Sequence, residues 1–160
     1  KAIEVDPKST AAYANLGNVL FYNEREDYDG AERAYRKAIE LDPENAFVYI
    51  SLGGLLNYVG EDYDGAEQAF RKAIELDPTI AGAYSNLGDL LKDVREDYDG
   101  AEQAYRKAIE LDPNEADAHY NLGILLETRG NIAGATDAIE PDRLSHGLGR
   151  SEPSRACIVL

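Results

Sequence analysis

The sequence predicts an all-α fold, a right-handed superhelical solenoid of antiparallel helix pairs, and three observations carry that expectation. Prolines at Pro7, Pro43, Pro78 and Pro113 are spaced by 36, 35 and 35 residues. At such a period one unit cannot bury its own apolar face and must stack on its neighbours. The last three prolines each close an almost identical block: EDYDGAERAYRKAIELDP at 26–43, EDYDGAEQAFRKAIELDP at 61–78 and EDYDGAEQAYRKAIELDP at 96–113. Within the first block Ala31, Ala34, Tyr35, Ala38 and Ile39 recur at the spacing of one helix face.

The elements follow in order. Lys1 to Pro7 repeats Lys37 to Pro43 almost letter for letter, so residues 1–9 read as the remnant of a preceding repeat and the chain as a fragment. Units are then expected at 10–44, 45–79 and 80–114, with a truncated fourth at 115–140 and an irregular, disordered tail at 141–160. The first helix of each unit falls near 10–23, 45–59, 80–93 and 115–129. It carries Tyr13, Leu16, Gly17 and Leu20 in the first copy, and His119, Leu122, Gly123 and Leu126 in the last. The second helix starts at Asp27, Asp62 or Asp97, each placed to cap it, with another Asp in the first turn to suit the helix dipole. Proline ends it. A glycine inside a helix costs about 1 kcal/mol relative to alanine, so the recurring Gly17, Gly53, Gly88 and Gly123 predict close approach of the paired helix, through Ala38, Ala73 and Ala108. In the fourth unit Ala135 and Ile139 keep the pattern, but Pro141 falls where the second helix should continue.

The recurring aromatic, Leu-Gly, Ala-x-x-x-Tyr/Phe and closing Pro resemble the tetratricopeptide repeat (TPR) family over residues 1 to about 140. The units are longer than usual by one or two residues, which the turns before Asp27, Asp62 and Asp97 would absorb. The resemblance implies a scaffold without catalytic chemistry, binding an extended peptide or partner helix on a concave face lined by the first helix of each pair. Internal comparison agrees: the second helices are near-identical, while Asn18, Phe21 and Tyr22 become Gly54, Asn57 and Tyr58, then Asp89, Lys92 and Asp93, then Ile124, Glu127 and Thr128. Duplication followed by drift at tolerant surface positions would leave the same variation.

The candidate peptide-binding residues are Asn15, Asn18, Tyr22, Phe47, Ser51, Tyr58, Asn86, Asp89, Asp93 and Asn121. Asn15, Asn86 and Asn121 precede the Leu-Gly pairs, with Ser51 in the remaining copy. An amide both donates and accepts, so such a row can bond a peptide backbone whatever its side chains. This is similar to the asparagine ladder in the repeat region of the O-linked N-acetylglucosamine transferases; copying of a solvated amide is the alternative. Phe47, Tyr22 and Tyr58 are candidate apolar anchors, against the commoner role of aromatics in packing. Asp89, Asp93 and Glu127 favour a neutral or basic partner, with Lys92 among them opposing. The carboxylate clamp of co-chaperones in this family needs two lysines and an arginine; its places fall on Ala14, Gly82 and Asn86, or one repeat later on Ile50, Asp117 and Asn121, so the clamp is absent.

Composition narrows the alternatives. With 31 acidic and 16 basic residues the net charge is −15, which repels nucleic-acid phosphates and anionic membrane surfaces. No apolar run approaches the roughly 18 residues of a membrane span. A lone cysteine, Cys157, excludes an internal disulfide or a multi-thiolate zinc site and points to a cytoplasmic or nuclear setting. No catalytic, cofactor or metal site is expected. His119 reads as a packed histidine, His146 and Ser145 have no partner at a useful spacing, and Gly147-Leu148-Gly149 follows no strand. Cys157-Ile158-Val159-Leu160 matches a prenylation box with three arginines upstream, so membrane anchoring would follow if Cys157 were prenylated. Two further expectations stay open: a substrate-selecting part of a larger enzyme such as a glycosyltransferase, and end-to-end self-association through uncapped terminal units.

Overall fold

The computed structural model describes residues 9–22, 27–60 and 62–130. Among them the chain forms seven helices: α1 (Thr10–Phe21), α2 (Tyr28–Leu41), α3 (Ala46–Val59), α4 (Tyr63–Leu76), α5 (Ala81–Asp93), α6 (Tyr98–Leu111) and α7 (Ala116–Thr128). The terminal remnant at 1–8 and everything from residue 131 onward, including Pro141 and Cys157, lie outside the described residues.

Each even-numbered helix starts where the sequence predicts. The carboxylates of Asp27, Asp62 and Asp97 accept the backbone N–H of Gly30, Gly65 and Gly100 at 2.9, 2.8 and 3.0 Å, satisfying one of the donors a helix start leaves unpaired. Glycine at that third position leaves the capping carboxylate uncrowded. A Cβ on Gly30, Gly65 or Gly100 would press on the capping carboxylate, which would have to turn to make room. The same helices end at Asp42, Asp77 and Asp112, whose carboxylates accept from the backbone N–H of Glu44, Thr79 and Asn114 at 3.2, 3.0 and 2.9 Å. These Asx turns carry the chain around each proline into the next helix.

Sequential helices pack along one another: α1 on α2, α3 on α4, α5 on α6, and each even-numbered helix on the odd one that follows. Odd-numbered helices also touch the next odd one, α1 with α3, α3 with α5 and α5 with α7. In a curved array that mutual approach belongs to the side of smaller radius. The core is built from the alanine face of the even helices (Ala31, Ala38, Ala66, Ala101, Ala108) against leucines of the odd ones (Leu52, Leu55, Leu87, Leu90, Leu125). Each fully buried leucine contributes about 1.5–3 kcal/mol. Opposite the core, Glu32–Arg36, Glu67–Arg71 and Glu102–Arg106 pair at i,i+4, a solvated face on which these charges cancel in pairs.

The recurring helical glycines do mark a close approach, but the partner differs from the expectation. A Cβ on Gly17, Gly53 or Gly88 would sit 2.5, 2.7 or 2.6 Å from the ring of Tyr35, Phe70 or Tyr105. The glycine is a seat for the aromatic of the paired helix, not for Ala38, Ala73 or Ala108. Those alanines are fully buried one turn further on, where their small size lets the ring reach the opposing helix.

Joints between units are of two kinds. Between the first two units, Phe21 and Tyr28 meet Tyr58 at ring-centroid distances of 5.4 and 5.8 Å, both edge-on, a favourable aromatic geometry. Further along, Arg95 pairs with Asp64 and, at 3.1 Å, with Glu67. One unit later Arg129 reaches Asp99 and Glu102 at 2.7 and 3.1 Å. Exposed pairs are screened by salt. Arg95→Ala should therefore lower the thermal midpoint slightly in low-salt buffer, and the difference should vanish near 1 M NaCl. A salt-independent loss in scanning calorimetry would instead assign Arg95 a packing role.

Candidate functional site

The odd-helix side carries an open groove of about 590 Å³ centred on α3. Ile50, Ser51, Gly54, Asn57 and Tyr58 form its middle, Asn18, Phe21 and Tyr22 one wall, and Asn86 and Asp89 the other. Tyr28, Tyr35 and Phe70 of the even helices show at its base. Among the described residues that line it, Asp89 carries the one formal charge.

Its floor is set by a pairing between helices. In the first unit the Tyr35 hydroxyl donates to Asn18 Oδ1 at 2.7 Å. In the third the Tyr105 hydroxyl donates to Asp89 Oδ1, also at 2.7 Å. In the second unit Phe70 replaces the tyrosine, and the facing position is Gly54, so both partners of the bond are gone together. Nothing lies within 4 Å of where a Cβ on Gly54 would stand. The groove thus carries this polar bond at either wall and lacks it between them, where the space over Gly54 is open.

Asp89 is the most perturbed acid of the site. Burial pushes its carboxyl above the ordinary aspartate value, while the hydrogen bond from Tyr105 and the charge of Lys92 pull it back. Asn121 Nδ2 also donates to Asp89 Oδ1, at 2.8 Å. Burial raises the Tyr35 hydroxyl to about 12, and burial with the Asp89 carboxylate raises Tyr105 further; both hydroxyls remain donors at physiological pH. A carboxyl raised in the folded state favours folding when neutral, and that contribution is lost as pH rises through its folded value. Asp89→Asn keeps an acceptor for Tyr105 and Asn121 without the charge. It should melt at or above the parent temperature at pH 7, with the gap closing towards pH 3. A variant less stable at pH 7 would show that the charge is structurally required.

Of the residues singled out in the sequence, Asn18, Tyr22, Ser51, Tyr58, Asn86 and Asp89 come together in the groove. Tyr22 and Tyr58 are 80% and 66% exposed, with their faces available at the rim. The Ser51 hydroxyl donates to the Phe47 carbonyl of its own helix at 3.1 Å. Asn15, Phe47, Asp93 and Asn121 are not among the lining residues. Asn15 is exposed on α1, Phe47 is exposed near the start of α3, Asp93 pairs with Lys92 at 3.4 Å, and the Asn121 amide is occupied by Asp89. The His119 Nε2 donates to the Pro113 carbonyl at 3.0 Å, tying the start of α7 to the preceding turn. Among the described residues no group of three or more His, Cys, Asp or Glu side chains could hold a metal. No helix among them is long and apolar enough to cross a membrane. Gly54, Phe70 and Ile50 escaped the sequence reading as site residues; the joint change of Asn18/Tyr35 to Gly54/Phe70 was the signal that could have found them.

A succession of helix pairs, each seating an aromatic of its second helix on a glycine of its first, defines a helical-repeat scaffold with its open groove on the first-helix side. The chain belongs to the tetratricopeptide repeat family: one Tetratricopeptide repeat profile matches residues 1–46 and 15–81, a second matches 69–103, and a TPR repeat profile matches 95–130. No curated protein matches the sequence significantly. Among solved structures the chain is similar to MamA, with 25% identity over 88% of this chain and 84% of that one and a TM-score of 0.72. PilF of Pseudomonas aeruginosa is 27% identical over 92% of this chain and 65% of its own, with a TM-score of 0.76. The first TPR of Spaghetti (RPAP3), bound to the HSP90 peptide SRMEEVD, shares the fold with a TM-score of 0.70 and 23% identity over 81% of this chain and 99% of that one.

Proposed function

We propose that this chain is a non-catalytic protein-interaction scaffold that holds an extended segment of a partner protein in the groove formed by α1, α3 and α5. The observation that carries this reading is the groove itself. It lies where successive first helices converge, it exposes Tyr22 and Tyr58 at its rim, and its neutral amides can bond a peptide backbone. The Spaghetti domain, of the same fold, is bound to a peptide bearing three acids. Here the described lining residues include Asp89 and neither lysine nor arginine, which favours a neutral or basic segment over such an acidic one. The setting we propose is cytoplasmic or nuclear.

The test is selection from a random peptide library on the immobilised chain, followed by mapping of the best binder through amide chemical shifts. Shifts should concentrate on α1, α3 and α5. Shifts confined to α2, α4 and α6, or no enrichment above an unrelated helical protein, would exclude the groove.

A further inference from the structure

Side chains of the groove differ from unit to unit in a way that specifies more than generic peptide binding. At corresponding positions stand Asn18, Gly54 and Asp89, facing Tyr35, Phe70 and Tyr105. In the first and third units a hydroxyl and its acceptor close the floor with a polar bond. In the second neither is present, and the space beyond Gly54 is empty to at least 4 Å, with Ile50, Phe70 and the exposed ring of Tyr58 around it, and Ser51 and Asn57 beside them. Ile50, Phe70 and the Tyr58 ring give an entering apolar side chain surface to bury against, and the Ser51 hydroxyl is already taken by the Phe47 carbonyl.

Asp89 supplies the second element. Asn18 shows that an amide serves equally well as the acceptor for the tyrosine of the paired helix, at the same 2.7 Å. The charge at Asp89 is therefore not needed to hold the tyrosine. Both of its described hydrogen bonds fall on Oδ1 and neither on Oδ2, and the residue lines the groove. Lys92, the nearest cation on the same helix, is engaged with Asp93 and is not part of the lining. A half-buried carboxylate with no lysine or arginine among the described lining residues attracts a cationic side chain from outside.

Resting on the groove as the binding site, we propose that it selects a partner segment carrying one large apolar residue, inserted over Gly54, and one lysine or arginine, paired with Asp89. Neighbouring packed helices stand about 8–10 Å apart, and an extended chain advances roughly 3.3 Å per residue. The two anchors in the partner are thus separated by roughly three positions.

Selection from a random dodecapeptide library is run in parallel on the whole chain and on the Gly54→Leu and Asp89→Asn variants. Neither substitution threatens the fold: Gly54 has room for a side chain and leucine is a better helix former than glycine, while asparagine retains the acceptor. Peptides enriched on the parent chain should show a large apolar residue roughly three positions from Lys or Arg. The best of them, synthesised, should bind Gly54→Leu at least tenfold more weakly. On Asp89→Asn it should lose affinity together with most of its salt dependence. Enriched peptides that lack this pair, or that bind Gly54→Leu as well as the parent, would overturn this inference and leave the groove reading intact. Absence of any enrichment would overturn both.

Discussion

Alanine at Gly53 or Gly88 is expected to lower the thermal midpoint by several degrees, whereas alanine at Gly54, the very next residue, is expected to raise it. Helix propensity alone predicts a gain of about 1 kcal/mol at all three sites. What separates them is the paired helix. A Cβ at Gly53 would lie 2.7 Å from the Phe70 ring and one at Gly88 2.6 Å from Tyr105, distances at which something must move. Phe70 and Tyr105 are 1% and 0% exposed, so each ring is held on all sides and can retreat only by opening the helix pair. Overpacking of this kind costs about 1–3 kcal/mol, enough to reverse the propensity gain. At Gly54 the added methyl meets nothing within 4 Å, and the gain stands. Thermal melts of the three single variants decide it. Equal stabilisation at all three would mean that the ring adjusts freely and that the glycine is not a seat.

Those glycines also show how far the sequence could be read. Their recurrence inside helices demanded a packing reason, and one exists. Periodicity alone could not say which side chain supplied it, because Tyr35 and Ala38 lie on one face of α2, within one turn of each other. The helix starts were more legible, since an Asp at a cap position acts through its own backbone neighbours and needs no tertiary partner. The groove was legible in outline, because variation among near-identical copies marks the face free of packing constraints. Its exact lining was not. Asn15 and Asn86 occupy equivalent sequence positions, yet only Asn86 has a helix on each side of it to complete a concavity. Phe47 shows the same limit: an aromatic on the correct helix, but near its start and away from the groove.

The two kinds of joint give the array a graded response to solvent. An aromatic contact between the first units is insensitive to ionic strength, whereas the arginine contacts of Arg95 and Arg129 weaken as salt rises. The groove straddles this boundary, with Phe21 and Tyr58 on one side and α5 on the other. Its width is therefore set by two joints of different chemistry. A charged partner that pairs with Asp89 does so on the helix immediately preceding Arg95.

Removing the Tyr105 hydroxyl should be the most costly single-atom change in the site. In Tyr105→Phe the Asp89 carboxylate keeps the Asn121 amide but loses the donor that offsets its burial. A hydrogen bond to a charged group contributes about 1.5–3 kcal/mol, and the half-open position of Asp89 places the loss near the lower end of that range. Tyr35→Phe removes a bond to the neutral and exposed Asn18, for which about 0.5–1.5 kcal/mol is the usual figure. The two tyrosines thus occupy equivalent positions with unequal consequences, and the difference is the charge at residue 89. A double-mutant cycle isolates it: in the Asp89→Asn background Tyr105→Phe should cost no more than Tyr35→Phe does in the parent. The excess should also fade below the pH at which Asp89 takes up its proton, because a neutral carboxyl no longer needs a donor to compensate its burial. Denaturant titrations at pH 7 and pH 3 measure both. An excess that persists at pH 3, or in the asparagine background, would mean that the hydroxyl acts through packing and that the charge of Asp89 plays no part in holding α5 to α6.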